Sequence, residues 1–189
     1  DENVPVKNKS RVFVNNKLGG ELAFRHLAEK GHRRIAIIGG PPLLMTAEER
    51  QEGFLEQARS WGIDIPEYYR VHGAYTQETG RDALRQLMAL ETPPTAIFAA
   101  SDLIAIGVLS EARDRGIGIP EEISLIGFDG ISVGSLLNPS LTTIEQPIEW
   151  MGRRGVQVLV HLLADGRSEM VKERLDVRLV ERASVRRIR

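Results

Sequence analysis

The sequence predicts an α/β fold around an open parallel sheet, and three observations carry that reading. Thr95 to Ile131 reads as strand, helix, strand. Its two strands, Thr95–Ala99 and Ile123–Phe128, are apolar without alternation, as strands covered on both faces must be. Finally, the same strand-then-helix alternation recurs along most of the chain, and βαβ units cross over right-handed almost without exception.

Within that central unit, Ser101 sits where a helix N-cap belongs. Ile104, Val108 and Ala112 share one helical face, and Gly116 stands where a left-handed C-cap favours glycine. Ser101 and Asp102 follow the carboxyl end of the first strand, and Asp129 follows that of the second. Open parallel sheets bind ligands in the crevice beyond those ends.

Taken in order, Arg11–Val14 is a short strand ending at Asn15 and Asn16. A helix with Leu18, Leu22, Ala23 and Leu27 along one side follows and stops at Gly31. His32, Arg33 and Arg34 come next, where cations suit the negative helix pole. Ile35–Ile38 is a buried strand broken by Gly39-Gly40-Pro41-Pro42. Thr46 and Glu49 have capping-box spacing, opening a helix with Ala47, Phe54, Ala58 and Trp61 inward and Gly62 at its end. Tyr68–His72 is the next strand, and Thr76 caps a helix halted by Pro93 and Pro94. Leu141–Gln146 is extended. Pro147 opens a helix over 148–163, packed through Met151, Val156, Leu159 and Leu163, and Asp165-Gly166 turns the chain. Leu175–Val180 alternates as a half-exposed strand, and the arginine-rich tail reads as a solvated end.

Composition narrows the function. Lysine plus arginine number 25 against 26 for aspartate plus glutamate, so no strong field favours nucleic acid or an anionic membrane. With no cysteine, disulfides, thiolate metal sites and thiol catalysis are excluded. The four histidines lack metal-ligand spacing, and Gly39-Gly40 lacks a phosphate-loop pattern, so neither metal nor cofactor is expected. No apolar run approaches the length of a spanning helix, and the polar lead DENVPVKNKS resembles a cut point rather than a signal peptide.

The loops at the carboxyl edge deliver Thr46, Tyr75, Thr76, Ser101, Asp102 and Asp129, and Arg50 lies one helical turn beyond Thr46. Helical side chains lean toward their own N-terminus, so the guanidinium reaches back over the same edge. Capping and turn chemistry explain several of these residues singly. Their convergence at one edge points instead to a small polyhydroxylated or heterocyclic ligand, held by stacking and hydrogen bonds.

The segments GHRRIAIIGG, ERQEGFLEQ, PTAIFAASDLIAIGVLSEARDRGIGIPEEISLIGFDGI, NPSLTTIEQP and RLVERASV resemble the effector-binding region of LacI/GalR-family transcription regulators, over nearly the whole chain. That resemblance implies a doubly wound parallel sheet of the type I periplasmic binding protein-like fold. It implies a C-terminal lobe over 33–140, a remnant of the N-terminal lobe over 1–32, a crossover and returning helix over 141–171, and a final strand and tail over 172–189. It implies a cytoplasmic, non-catalytic sensor, a repressor in keeping with the family, that binds a sugar-like or nucleoside-like effector and forms a homodimer. It touches operator DNA only through a helix-turn-helix upstream of Asp1 and makes no membrane contact.

The matching positions make Arg50, Tyr75, Asp129, Thr46 and Gln146 ligand contacts; Ser101, Asp102 and Asn15 complete the candidate set. The chain has Ser101-Asp102 where the family usually has asparagine-aspartate, and Asn15-Asn16 where it usually has aspartate-asparagine. Two other readings fit the same residues: a transport receptor with this fold, and a small α/β enzyme using Asp102 or Asp129.

Overall fold

The computed structural model describes residues 10–165 and 170–188. The expected turn at Asp165-Gly166 and most of the polar lead lie outside these residues. The elements run β1 (Arg11–Val14), α1 (Asn16–Glu29), β2 (Ile35–Gly39), α2 (Met45–Ser60), β3 (Arg70–His72), α3 (Gln77–Met88), β4 (Ala96–Ala99) and α4 (Asp102–Arg115). They continue as β5 (Ser124–Asp129), β6 (Thr142–Glu145), α5 (Ile148–Asp165), β7 (Lys172–Leu175) and β8 (Arg178–Val180).

Six strands form the main sheet in the order β3-β2-β4-β5-β6-β8, parallel except for β8, which runs antiparallel to β6. The order reverses between β2 and β4. From β2 the chain moves outward to β3, then returns through β4 to β5. Right-handed crossovers in opposite directions put their helices on opposite faces, so α2 and α3–α4 lie on different sides. The packing agrees, with α1 against α2 and α3 against α4. Phe24, Phe54 and Phe98 join α1 and α2 to β4, with consecutive ring centroids 5.3 Å apart.

β1 and β7 pair parallel in a separate two-stranded sheet, with α5 alongside β1. Among the described residues of the 1–32 segment expected in the other lobe, β1 joins this smaller unit, whereas α1 is built into the main body, its Ala23, Phe24 and Leu27 fully buried.

Several boundaries differ from the sequence reading. Tyr68 and Tyr69 belong to a 3-10 turn, and only Arg70–His72 pairs as strand. The single strand expected over 175–180 divides at Asp176-Val177, which lets β7 and β8 serve different sheets. Val156, Leu159 and Leu163 of α5 are exposed rather than packed, while Val158 is buried. Arg186 and Arg187 of the tail are exposed, as expected, but the tail itself is anchored: the Ser184 hydroxyl donates to Leu125 O, the Thr142 and Arg186 amides donate to the Ser184 and Ser124 hydroxyls, and Ile188 N reaches Lys30 O.

Candidate functional site

The switch between β2 and β4 opens a cleft of ≈ 740 Å³, within the range of small-ligand pockets. The main body lines it with Leu44, Thr46, Arg50, Tyr75, Ser101 and Asp129. Ser10, Arg11, Val12 and α5 residues such as Met151 and Gly155 close the other side, and Gln146 sits where β6 leads into α5.

Arg50 is the hub. Its side chain is buried, with Nε donating to Asn16 Oδ1 at 2.9 Å and Nη1 to Ala100 O at 2.6 Å. Nη1 also reaches Asp129 Oδ1 at 3.4 Å, and the guanidinium lies 3.7 Å above the Phe128 ring centroid. A charge this buried persists only when hydrogen-bonded and paired. Asn16, itself fully buried, donates to Val14 O and Glu49 Oε2, both at 3.3 Å, so its amide is fixed from both ends. The signal for Asn16 in the sequence is its place, beside Asn15, at the carboxyl end of β1.

Asp129 accepts a second bond, at 2.7 Å, from Gln146 Nε2 on the same Oδ1, and the residue lines the cleft. Burial pushes this carboxyl above its ordinary value, while Arg50 pulls it back. Its backbone is in the left-handed half of conformational space, at φ 123, where a residue with a side chain persists only if its surroundings hold it.

The Tyr75 ring lies against Gly40, where a Cβ would approach within 2.4 Å. A side chain at Gly40 would therefore evict the aromatic. The Tyr75 hydroxyl is buried beside Thr46, and burial raises its pKa against the pull of Arg50.

Thr46 is not the helix cap its spacing predicted. Leu44 takes that position without a side-chain bond, and Thr46, the second residue of α2, faces the cleft instead. Ser101 does cap α4, accepting from Ile104 N at 3.2 Å, and it lines the cleft as well. Thr76 caps α3 through Thr79 N.

Two candidates stand apart from the cleft lining. The Asn15 side chain accepts from Leu18 N, capping α1, and donates to Asp176 Oδ1 at 3.1 Å. Asp102 is fully buried behind the wall. Its Oδ2 accepts from Gly130 N and Ile131 N, both at 2.9 Å, and its Oδ1 from Thr143 Oγ1 at 2.7 Å. Burial pushes its pKa up to about 6 against the opposing pull of these bonds. Among the described residues, no three histidine or carboxylate side chains gather where they could hold a metal ion.

An acceptor, a cation, an aromatic face and hydroxyls thus converge on one cleft. The profile of the periplasmic binding protein-like domain family matches residues 24–185. The HTH-type transcriptional repressor PurR of Klebsiella pneumoniae (strain 342) is 36% identical over 174 residues, covering 92% of this chain and 51% of the repressor. The chain thus spans about half the length of the curated relatives it matches. The transcriptional regulator CelR in complex with cellobiose superposes with a TM-score of 0.89 at 34% identity, over 96% of this chain and 56% of that one. A LacI-family transcriptional regulator from Enterococcus faecium with bound ribose gives 0.90 at 28% identity, over 100% and 70%.

Proposed function

The chain belongs to the periplasmic binding protein-like domain family, in the form carried by LacI-type regulators, and from that premise we propose that it is the effector-sensing region of a bacterial transcription regulator. Its ligand is a sugar-like or nucleoside-like molecule held in the cleft, and it catalyses nothing. The observation that carries the reading is the meeting of Arg50, Asp129, Gln146 and Tyr75 at the sheet's switch point. The Asp129 carboxylate accepts from ligand hydroxyls or ring N–H groups, Thr46 and Ser101 add hydroxyls, and Tyr75 offers a face for the ring.

The same reading assigns the intact protein a homodimeric, cytoplasmic state and an operator contact made by a helix-turn-helix outside this chain. The balanced charge here gives this region little of the phosphate attraction that DNA binding needs.

Calorimetric titration with cellobiose, ribose and a set of nucleosides tests the assignment. One of them binds the wild-type protein, and Asp129→Asn weakens it by roughly ten- to a hundredfold, the loss of one charge-assisted hydrogen bond. Equal affinity in the variant contradicts the reading.

A further inference from the structure

We propose that Asp102 is the positioning residue of this cleft: its buried carboxyl grips the backbone of Gly130 and Ile131 from behind and so fixes Asp129 in the conformation that faces the ligand. The inference rests on the effector-binding reading for its purpose, but not for its geometry.

Consecutive residues at the end of β5 have positive φ, Asp129 at 123 and Gly130 at 78. Left to itself, an aspartate relaxes out of that region toward extended or helical backbone. Both amides that follow, Gly130 N and Ile131 N, are taken at 2.9 Å by the same oxygen, Asp102 Oδ2. The other oxygen is held at 2.7 Å by the hydroxyl of Thr143 on β6. One carboxyl therefore ties together the start of α4, the end of β5 and the strand that leads to Gln146.

Room for this clamp is built into the neighbouring strand. At Gly127 a Cβ would stand 2.2 Å from Asp102 Oδ1, so a side chain there would displace the carboxyl. Gly130 is likewise confined, its Cβ position within 2.6–2.8 Å of Glu145. An ordinary helix-start aspartate needs none of this. The dipole alone would stabilise it at the surface, with no bond to the loop after β5 or to β6 and no full burial.

Asp102 acts on the ligand only through Asp129. Neighbouring residues at the start of α4 thereby divide the work: Ser101 lines the cleft and Asp102 braces the loop opposite.

The test needs no ligand, so its failure is separate from failure of the effector assignment. Amide exchange and side-chain NMR are recorded on the full chain for wild type, Asp102→Ala and Asp102→Asn. Asparagine preserves the clamp, because its oxygen accepts from both amides and its NH2 group donates to the Thr143 hydroxyl. In Asp102→Ala, exchange at Gly130 and Ile131 accelerates by roughly tenfold or more, and the Gln146 side-chain amide, which reports on Asp129, shifts. Both return to wild-type values in Asp102→Asn, and Phe54 amide exchange is unchanged throughout. Should the alanine variant not fold, Thr143→Val, which removes one of the three bonds, accelerates the same two amides by a smaller factor. Unchanged exchange at Gly130 and Ile131 in a folded Asp102→Ala or Thr143→Val protein, or no recovery in a folded Asp102→Asn, overturns the proposal.

Discussion

The helix pairs on the two faces of the sheet are assembled by one device and put to different uses. In α1–α2, a Cβ on Gly20 would sit 2.0 Å from Arg50 O and one on Gly53 2.0 Å from Lys17 O. In α3–α4, a Cβ on Gly80 would sit 2.1 Å from Ile104 O and one on Gly107 2.0 Å from Gln77 O. Each glycine lies three residues after the residue whose carbonyl its partner touches, so both crossings are reciprocal backbone contacts. The polar residues break the symmetry. In α1–α2, Asn16 and Arg50 are buried and bonded to each other, and Arg50 reaches on to Asp129 at the cleft. In α3–α4, the buried Glu111 lies away from it, taking both Arg85 Nε and Nη2 and also Arg81. The arginine bonds lower the Glu111 pKa, those from Arg85 most. Packing therefore does not distinguish a binding face from a supporting one; the destination of the buried polar groups does.

The comparison breaks if the glycine pairs are not equivalent. Gly53→Val and Gly107→Val should each destabilise by about 3 kcal/mol or more, because the added atoms meet backbone that cannot swing aside. Urea denaturation with similar losses in both supports the shared device, and tolerance at either site removes it.

Arginine and glutamate at the two crossings sharpen the contrast. Arg50→Ala should abolish measurable ligand binding and also cost on the order of 2–3 kcal/mol, since Asn16 and Ala100 O lose their buried partner. Glu111→Gln should lower the denaturation midpoint yet leave ligand affinity unchanged. A Glu111 variant that loses ligand would merge the two faces functionally.

A third expectation concerns pH. The folded Asp102 pKa is about 6 against an ordinary 3.8. Its contribution to stability is thus complete below that ordinary value and lost as pH rises through about 6. Asp102→Asn, which mimics the protonated form, should gain on wild type by on the order of 2–3 kcal/mol between about pH 4.5 and about pH 7.5. A stability difference that is flat with pH contradicts this. The smallest effect belongs to α5: Leu159→Gln, at an exposed position, should change stability by no more than about 0.5 kcal/mol.

What the sequence revealed, and what it concealed, follows from the same physics. Runs such as Ile35–Ile38 and Ala96–Ala99 mark doubly covered strands because burial on both faces forbids alternation. Ser101, Thr76 and Gly116 announced their caps because a cap is a local bond or a local φ. The cleft edge was legible too, since topology alone sends Tyr75, Ser101 and Asp129 there. The contacts of Asn16 and Asp102 were not legible because their partners lie far along the chain, at Arg50 and at Gly130, Ile131 and Thr143. Apolar periodicity in α5 marked a face without saying whether anything in this chain covers it. Thr46 had cap spacing, but the chain enters α2 two residues earlier, at Leu44.

The most direct test of the central claim is an NMR titration of the full chain with cellobiose, ribose and nucleosides, read residue by residue. The account predicts that one of them shifts signals at Thr46, Arg50, Tyr75, Asp129 and Gln146, with the Arg81–Glu111 cluster silent. Binding that moves the α3–α4 cluster and leaves Arg50 and Asp129 unmoved would contradict it.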